Sequence, residues 1–202
     1  MRYWHAFFLV VGLILIKLGL EPETVQRTIT LPTYVPAPVP AFDEVSTGID
    51  KGNLVPSITD ATEQDRQCLA LNIYFEAKNQ SLRGQMAVGI VTLKRVVDDR
   101  FPNDVCGVVT HTHYRHANGF PVRHMCQFSW YCDGKPDRPI EPKAFQQAQR
   151  IASALLDPES AIVDFTHGAD HYHADYIEAP VWASKLLRVT QIDNHIFYTS
   201  AL

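Results

Sequence analysis

Three stretches of the chain carry apolar residues at helical spacing, and a fourth switches to alternation. In the first, Leu69, Ile73 and Glu76 fall at i, i+4 and i+7. That spacing predicts a helix from near Thr62 to about Lys78, with Asp65 in its first turn and Glu76 at the end of an apolar stripe. Leu82 to Val97 is denser in apolar residues and predicts a second helix, joined to the first by Asn79-Gln80-Ser81 as an αα-hairpin. A third, from about Lys143 to Leu156, puts Phe145, Ala148, Ile151, Ala152 and Leu155 on one core-packing face. Beyond it, Ala161 to Thr166 and Leu186 to Ile192 alternate apolar and polar residues, which predicts short strands. These are expected to carry Tyr172 and His173 to one side with Trp182 beside them, forming an aromatic wall. His195 and Tyr198 read as structural residues of a carboxy-terminal strand that is tied down. The fold class expected is α+β, mainly helical, with a few short strands.

The first sixty residues follow neither pattern. Arg2 precedes an uncharged run from Ala6 to Ile16, and Lys17 follows it. Eleven uncharged residues suit the apolar region of a secretory signal better than a membrane span, which takes about 20. No small-x-small cleavage site follows Leu20, because Glu21-Pro22-Glu23 comes next. Tyr3 to Leu20 can therefore also stay in the inner membrane as a signal anchor, with Lys17 reaching the interface. Either form sends the chain out of the cytoplasm, to the periplasm or cell envelope; a buried amphipathic helix fits the run poorly. Residues 21–60 hold six of the thirteen prolines, including Pro36-Ala37-Pro38-Val39-Pro40, and read as an extended spacer. A docking strand over Thr28 to Tyr34 is the alternative there. The expected organisation is a signal anchor or signal peptide at 1–20, a Pro-rich linker at 21–60 and one domain at 61–202.

Composition narrows the function classes. A chain of 202 residues, 46% of them hydrophobic, suits one core with a tail, and no internal repeat is present. The formal charge is −4, of which residues 21–60 contribute six acids against two bases. No basic stripe that could neutralise many phosphates appears, which argues against nucleic acid as a partner; the chain is expected to be a monomer.

Cys68, Cys106, Cys126 and Cys132 all fall in the domain expected to be exported. An even count in an oxidising compartment predicts two disulfides, with the spacing leaving all three pairings open. A bridge ending at Cys126 or Cys132 would fix the loop Gln127-Phe128-Ser129-Trp130 against the helical core. The competing use of these residues is metal binding, since nine histidines are present, among them His111, His113, His116, His124, His171 and His173. Neither an H-E-x-x-H nor a C-x-x-C pattern occurs.

The candidate chemistry lies in three short segments: Tyr74-Phe75-Glu76-Ala77, the run from Cys126 to Gly134, and His171-Tyr172-His173. Together they supply a lone acid, an amide, hydroxyls and aromatic rings, an inventory suited to a sugar chain. Cleaving a glycosidic bond needs a carboxylic acid still protonated near neutral pH, and apolar neighbours raise a glutamate's pKa in that direction. Glutamate is seldom buried without a partner or a task, so Glu76 is either a partnered structural acid or a functional one, and spacing alone divides these evenly.

The order and spacing of the segments resemble the SleB-type cell-wall hydrolases over about Cys68 to Tyr198. The family's YxEARGE helix reads Tyr74-Phe75-Glu76-Ala77-Lys78-Asn79-Gln80 here, and its VxLNRV reads Val91-Thr92-Leu93-Lys94-Arg95-Val96. Cys126 to Gly134 matches CQFSxxCDG; His171-Tyr172-His173, Pro180-Val181-Trp182 and His195-Ile196-Phe197-Tyr198 match the closing elements. The departures are Gln80 for the second acid and Lys94 for the asparagine. The resemblance implies a lysozyme-like, lytic-transglycosylase-like domain that cleaves peptidoglycan glycan strands between N-acetylmuramic acid and N-acetylglucosamine, without metal or other cofactor. It implies Glu76 as the catalytic residue, with Tyr74, Gln127, Phe128, Ser129, Trp130, Tyr172, His173 and Trp182 binding substrate. Hydrolysis would call for a second carboxylate, for which Asp133 and Asp170 are candidates. A non-catalytic peptidoglycan-binding protein and a zinc-dependent amidase or peptidase are the alternatives. Arg95 reads as a solvated or ion-paired helix residue.

Overall fold

Thr62 starts the first helix, α1 (Glu63–Ala77), through a capping box: its Oγ1 accepts from the Asp65 N–H at 3.1 Å, and the Asp65 carboxylate accepts from the Thr62 N–H at 3.0 Å. The computed structural model describes residues 53–200. The signal segment, the linker up to residue 52 and the Thr28 to Tyr34 alternative lie outside the described residues, among which no helix is long and apolar enough to cross a membrane.

Of the stripe predicted on α1, Leu69 and Ile73 are buried and Glu76 is half-buried, with Ala77 buried beside it. Ser81 caps the second helix, α2 (Leu82–Val96), its Oγ accepting from the Gly84 N–H at 3.2 Å. This helix is central. Met86, Ile90 and Leu93 join Leu69 and Ile73 of α1 in the larger core cluster, while Ala87 and Val91 pack with Ile192 and Phe197 of the sheet. Gly89 permits the close approach, since a Cβ there would lie 2.4 Å from Leu155 Cδ1. Asp104 caps the short α3 (Val105–Val109), which the hydrophobic pattern did not reveal. The last helix, α4 (Pro142–Leu155), begins with proline at its first turn and buries Ala148, Ile151, Ala152 and Leu155 as predicted.

Three antiparallel strands, β1 (His171–Ala174), β2 (Leu187–Ile192) and β3 (His195–Thr199), form a sheet in the order β1-β3-β2. The turn Asp193-Asn194 between β2 and β3 puts Asp193 at φ +48°. Its carboxylate accepts from the Ser81 N–H at 2.8 Å and the Ser81 hydroxyl at 2.6 Å, fastening the sheet to the start of α2.

Two expectations are corrected. Ala161 to Thr166 is not a strand: Val163 makes a single bridge, to Leu54, and then Asp164 accepts from the N–H groups of Thr166 and Gly168, turning the chain. That bridge also moves the domain boundary. Residues 53–58, assigned to the linker by composition, lie along the domain, with the Val55 N–H on Ile162 O at 2.9 Å and Val55 and Ile58 packed on the core.

The cysteines pair as Cys68–Cys106 and Cys126–Cys132, leaving no thiol free. The first joins α1 to α3. The second closes its own loop, so the expected tether from that loop to the helical core is absent; burial of Phe128 holds the loop there instead.

Candidate active site

The carboxy-terminal end of α1, the loop Gln127 to Trp130, strand β1 and the short 3-10 turn at Val181–Lys185 surround one open cleft of about 1120 Å³. Every residue expected at the site, Glu76, Tyr74, Gln127, Phe128, Ser129, Trp130, Tyr172, His173 and Trp182, borders it. The cleft exceeds the roughly 300–1,000 Å³ of pockets that enclose a compact small molecule, and its open form suits an extended chain.

Glu76 stands half-buried in the cleft wall, where the apolar stripe of α1 runs out. The Tyr172 hydroxyl donates to its Oε2 at 3.1 Å. Burial raises the Glu76 pKa to about 7, against the opposing pull of the Tyr172 hydrogen bond and the Arg95 charge. At neutral pH, much of Glu76 therefore carries a proton. Burial also pushes the Tyr172 phenol well above its ordinary value, and the Glu76 charge adds to this, so Tyr172 stays a donor.

Trp130 is fixed from two sides. Its ring stacks on Phe75 with centroids 4.6 Å apart and planes 20° apart, and its Nε1–H donates to Asn72 Oδ1 at 2.9 Å. Asn72 in turn donates to Thr92 Oγ1 at 3.1 Å, and Thr92 to Val88 O at 3.0 Å. Asn72 was missed in the sequence, although a polar residue three positions from Leu69, on the buried face of α1, was the available signal.

The loop residues divide by exposure. Gln127 and Ser129 are exposed on the rim, and the Gln127 N–H donates to His111 O at 3.0 Å. Phe128 turns inward and is 2% exposed; Tyr74 is 1% exposed. The Tyr74 hydroxyl accepts from the N–H groups of Ile140 and Glu141 at 3.1 and 3.2 Å, anchoring the segment before α4. Tyr74 and Phe128 are thus framework behind the cleft surface, where substrate contacts were expected.

Strand alternation corrects the aromatic wall as well. Neighbouring residues of β1 point to opposite faces, so Tyr172 and His173 do not share a side. Tyr172 lies toward Glu76 with Phe197 and His195, at centroid distances of 5.6 and 5.0 Å. His173 stacks on Tyr198 at 5.5 Å, and Trp182 meets His171, His173 and Tyr198 at 5.3 to 5.8 Å. His173 is buried, and Trp182 keeps partial exposure.

Arg95, read as a solvated or ion-paired helix residue, is 4% exposed and borders the cleft. Its Nε–H donates to the Asp170 carbonyl at 2.7 Å, and its guanidinium lies over the rings of Phe101 and Phe128 at 5.0 and 5.3 Å. The sequence held the signal, because Arg95 falls four residues after Val91 on the buried side of α2.

Of the two candidates for a second carboxylate, Asp170 lies outside the cleft lining and Asp133 borders it with local partners. Asp170 is buried, which raises its pKa, but His171, Ser200 and Arg100 outweigh this and hold it well below the usual carboxylate range. Its Oδ2 lies 2.7 Å from the Arg100 guanidinium. Asp133 borders the cleft, and the Lys135 N–H at 2.8 Å holds its carboxyl below the ordinary value. Both departures from the family pattern sit outside the cleft lining. Gln80 Oε1 accepts from the Asn194 N–H at 3.2 Å, and Lys94 Nζ lies 3.8 Å from the buried Asp164.

This architecture has counterparts among known structures. It is similar to the catalytic domain of the SleB protein of Bacillus cereus, with TM-score 0.51 and 22% identity over 71% of this chain and 95% of that one. It is equally similar to the catalytic domain of the germination-specific lytic transglycosylase SleB from Bacillus anthracis, with TM-score 0.52 and 22% identity over 70% and 99%. The fold is thus the lysozyme-like, mainly helical α+β type of those domains. No curated protein matches the chain. The cell wall hydrolase family profile matches residues 79–198, an interval that opens three positions after Glu76 and takes in the cleft loop and the sheet. Because that interval is more than half of the chain, the protein belongs to the cell wall hydrolase family.

Proposed function

We propose that the domain cuts peptidoglycan glycan strands between N-acetylmuramic acid and N-acetylglucosamine as a lytic transglycosylase, with Glu76 as its one catalytic carboxylate. The observation that carries this is Glu76 itself, its pKa raised to about 7 by burial and its carboxyl bonded to the Tyr172 hydroxyl, in a cleft open enough for a polymer. In the first step the Glu76 proton moves to the glycosidic oxygen as the bond from that oxygen to the muramic anomeric carbon breaks. In the second, the resulting carboxylate takes the proton of the muramic 6-hydroxyl while O6 bonds to the anomeric carbon. Glu76 is restored, no water is consumed and an anhydro ring is left on the new end. A hydrolase of either stereochemical course would commonly add a second carboxylate, and Asp170 is committed to Arg100. The name of the Bacillus anthracis neighbour supports the reading by analogy of fold.

Gln127 and Ser129 on the rim are assigned to sugar amide and hydroxyl groups, and the fixed Trp130 and half-exposed Trp182 to sugar faces. His173 acts through the Trp182 side of the sheet. The proposed substrate lies outside the cytoplasm, and residues 1–20 are proposed to deliver the domain there, as inner-membrane anchor or cleaved signal.

The reading fixes the pH dependence. A general acid must be protonated to work, so kcat/KM on purified sacculi should be level on the acid side of the Glu76 transition, then fall about tenfold per pH unit above about 7. Activity that stays level from pH 6 to 9 in a protein shown to be folded would remove Glu76 from the acid role.

A further inference from the structure

Arg95 is held from several directions yet leaves its buried Nη1 without an acceptor. Nε is bonded to the Asp170 carbonyl, Phe101 and Phe128 flank the guanidinium, and Nη1 is buried with no hydrogen-bond acceptor among the described residues. A buried cationic N–H without an acceptor is costly, and such a group calls for an occupant. The charged and titratable groups facing it are Glu76 from α1, Tyr172 from β1, Asp170 just before β1, Arg100 beyond α2 and His111 after α3. Most of these are unavailable as acceptors. The Asp170 carboxylate is taken by Arg100, His171 and Ser200; the Tyr172 hydroxyl is directed at Glu76; Arg100 is itself a cation.

Glu76 differs from the others because its acceptor strength changes during the reaction. While protonated, it is served by the Tyr172 hydroxyl. Once the proton has gone to the glycosidic oxygen, a full negative charge is left between apolar neighbours, and Arg95, which borders the same cleft with its Nη1 buried and unpartnered, is the cation placed to act on it. We propose that Arg95 is a positioning residue for the reaction, whose unused Nη1–H receives the Glu76 carboxylate after proton transfer and releases it when Glu76 is reprotonated. The donor is preorganised, since the two rings and the Asp170 carbonyl fix the guanidinium before charge develops, so little reorientation is needed at the moment of reaction. This rests on the reading of Glu76 as the acid. The rival occupant is a buried water shared by Arg95 Nη1 and His111 Nδ1, which is likewise buried without a partner.

The test is a carbon-detected NMR titration of the Glu76 carboxyl in the full domain, run beside steady-state kinetics for wild type, Arg95→Gln and Arg95→Lys. Loss of the cation should move the Glu76 midpoint upward by about one pH unit or more in Arg95→Gln, and by less in Arg95→Lys. In Arg95→Gln, kcat should fall about tenfold or more with KM changed less than about threefold, the pattern of an interaction made in the transition state. An unmoved midpoint in a folded Gln variant would overturn the proposal in favour of the shared water. Should the Gln variant not fold, the Lys variant decides: an upward move supports the coupling, and an unmoved midpoint rejects it. The titration does not depend on turnover. A coupled midpoint together with an active Glu76→Gln enzyme would therefore strike the reading of Glu76 and leave the Arg95 contact standing.

Discussion

Glu76→Gln should lower the rate of sacculus lysis by at least about 100-fold, the lower range for losing a general acid, while the domain stays folded. The amide keeps the shape of the side chain, and its oxygen can still accept from Tyr172, but it has no proton to transfer. The same variant should be more stable than wild type at alkaline pH. Burial raises the folded pKa of Glu76 from 4.5 to about 7, so between those values the folded state binds more protons than the unfolded chain. Stability from this group is then full below about 4.5 and is lost as pH rises through about 7. Glutamine never carries the charge. At pH 8 the variant should gain roughly 1–3 kcal/mol in denaturant unfolding. Circular dichroism checks the fold. A folded Gln variant that lyses sacculi at near wild-type rate would contradict the assignment, and one less stable at pH 8 would contradict the buried charge.

The second large effect concerns the Cys68–Cys106 bridge. It spans 38 residues and joins α1 to α3, a helix of five residues whose Val105, Val108 and Val109 are buried. So short a helix does not hold itself together in water. Loop closure over that span gives about 4 kcal/mol, against about 2 for the six-residue span of Cys126–Cys132. Serine pairs at each bridge, compared by urea unfolding at one pH, should reproduce that order. Envelope-derived protein should also show no free thiol after denaturation without reductant. The reverse order of costs would place the stability in the cleft loop rather than in the α1–α3 junction.

What the sequence disclosed depended on whether the signal was local. Thr62 and Asp65 bracket a helix start by themselves, and Leu69, Ile73 and Glu76 define a stripe without outside help, so α1 and the place of Glu76 were legible. The extent of α2 was equally plain from its apolar density. Helix α3 escaped because its valines read as strand formers, and only the Asp104 cap and packing against the core make them helical. Ala161 to Thr166 failed for the opposite reason: its alternation was right, but a strand needs a partner, and the one available is a short segment around Leu54.

The structure brings the expected site residues to one cleft but turns several of them differently from the sequence expectation. All nine expected residues border the cleft. Yet Tyr172 and His173 were put on one face although adjacent strand residues cannot share one, and Tyr74 and Phe128 were read as contacts when their neighbours bury them. Motif spacing tells which residues meet. It does not tell which way each side chain turns, because that follows from partners distant in the chain, such as Ile140 for Tyr74 and Phe197 for Tyr172. Arg95 and Asn72 show the same limit. Their burial follows from helical periodicity, but the Asp170 carbonyl and the Trp130 indole that occupy them lie 75 and 58 residues away.

The claim that one carboxylic acid performs both proton transfers is tested most directly by the ends it leaves on the glycan. Purified sacculi digested with the domain, then separated and weighed by mass spectrometry, should yield muropeptides ending in anhydromuramic acid, with none above background from Glu76→Gln. Reducing muramic ends in their place would mean that water attacks the anomeric carbon and that a second group activates it, which would contradict the single-carboxylate account; free stem peptides or unaltered sacculi would contradict glycan cleavage itself.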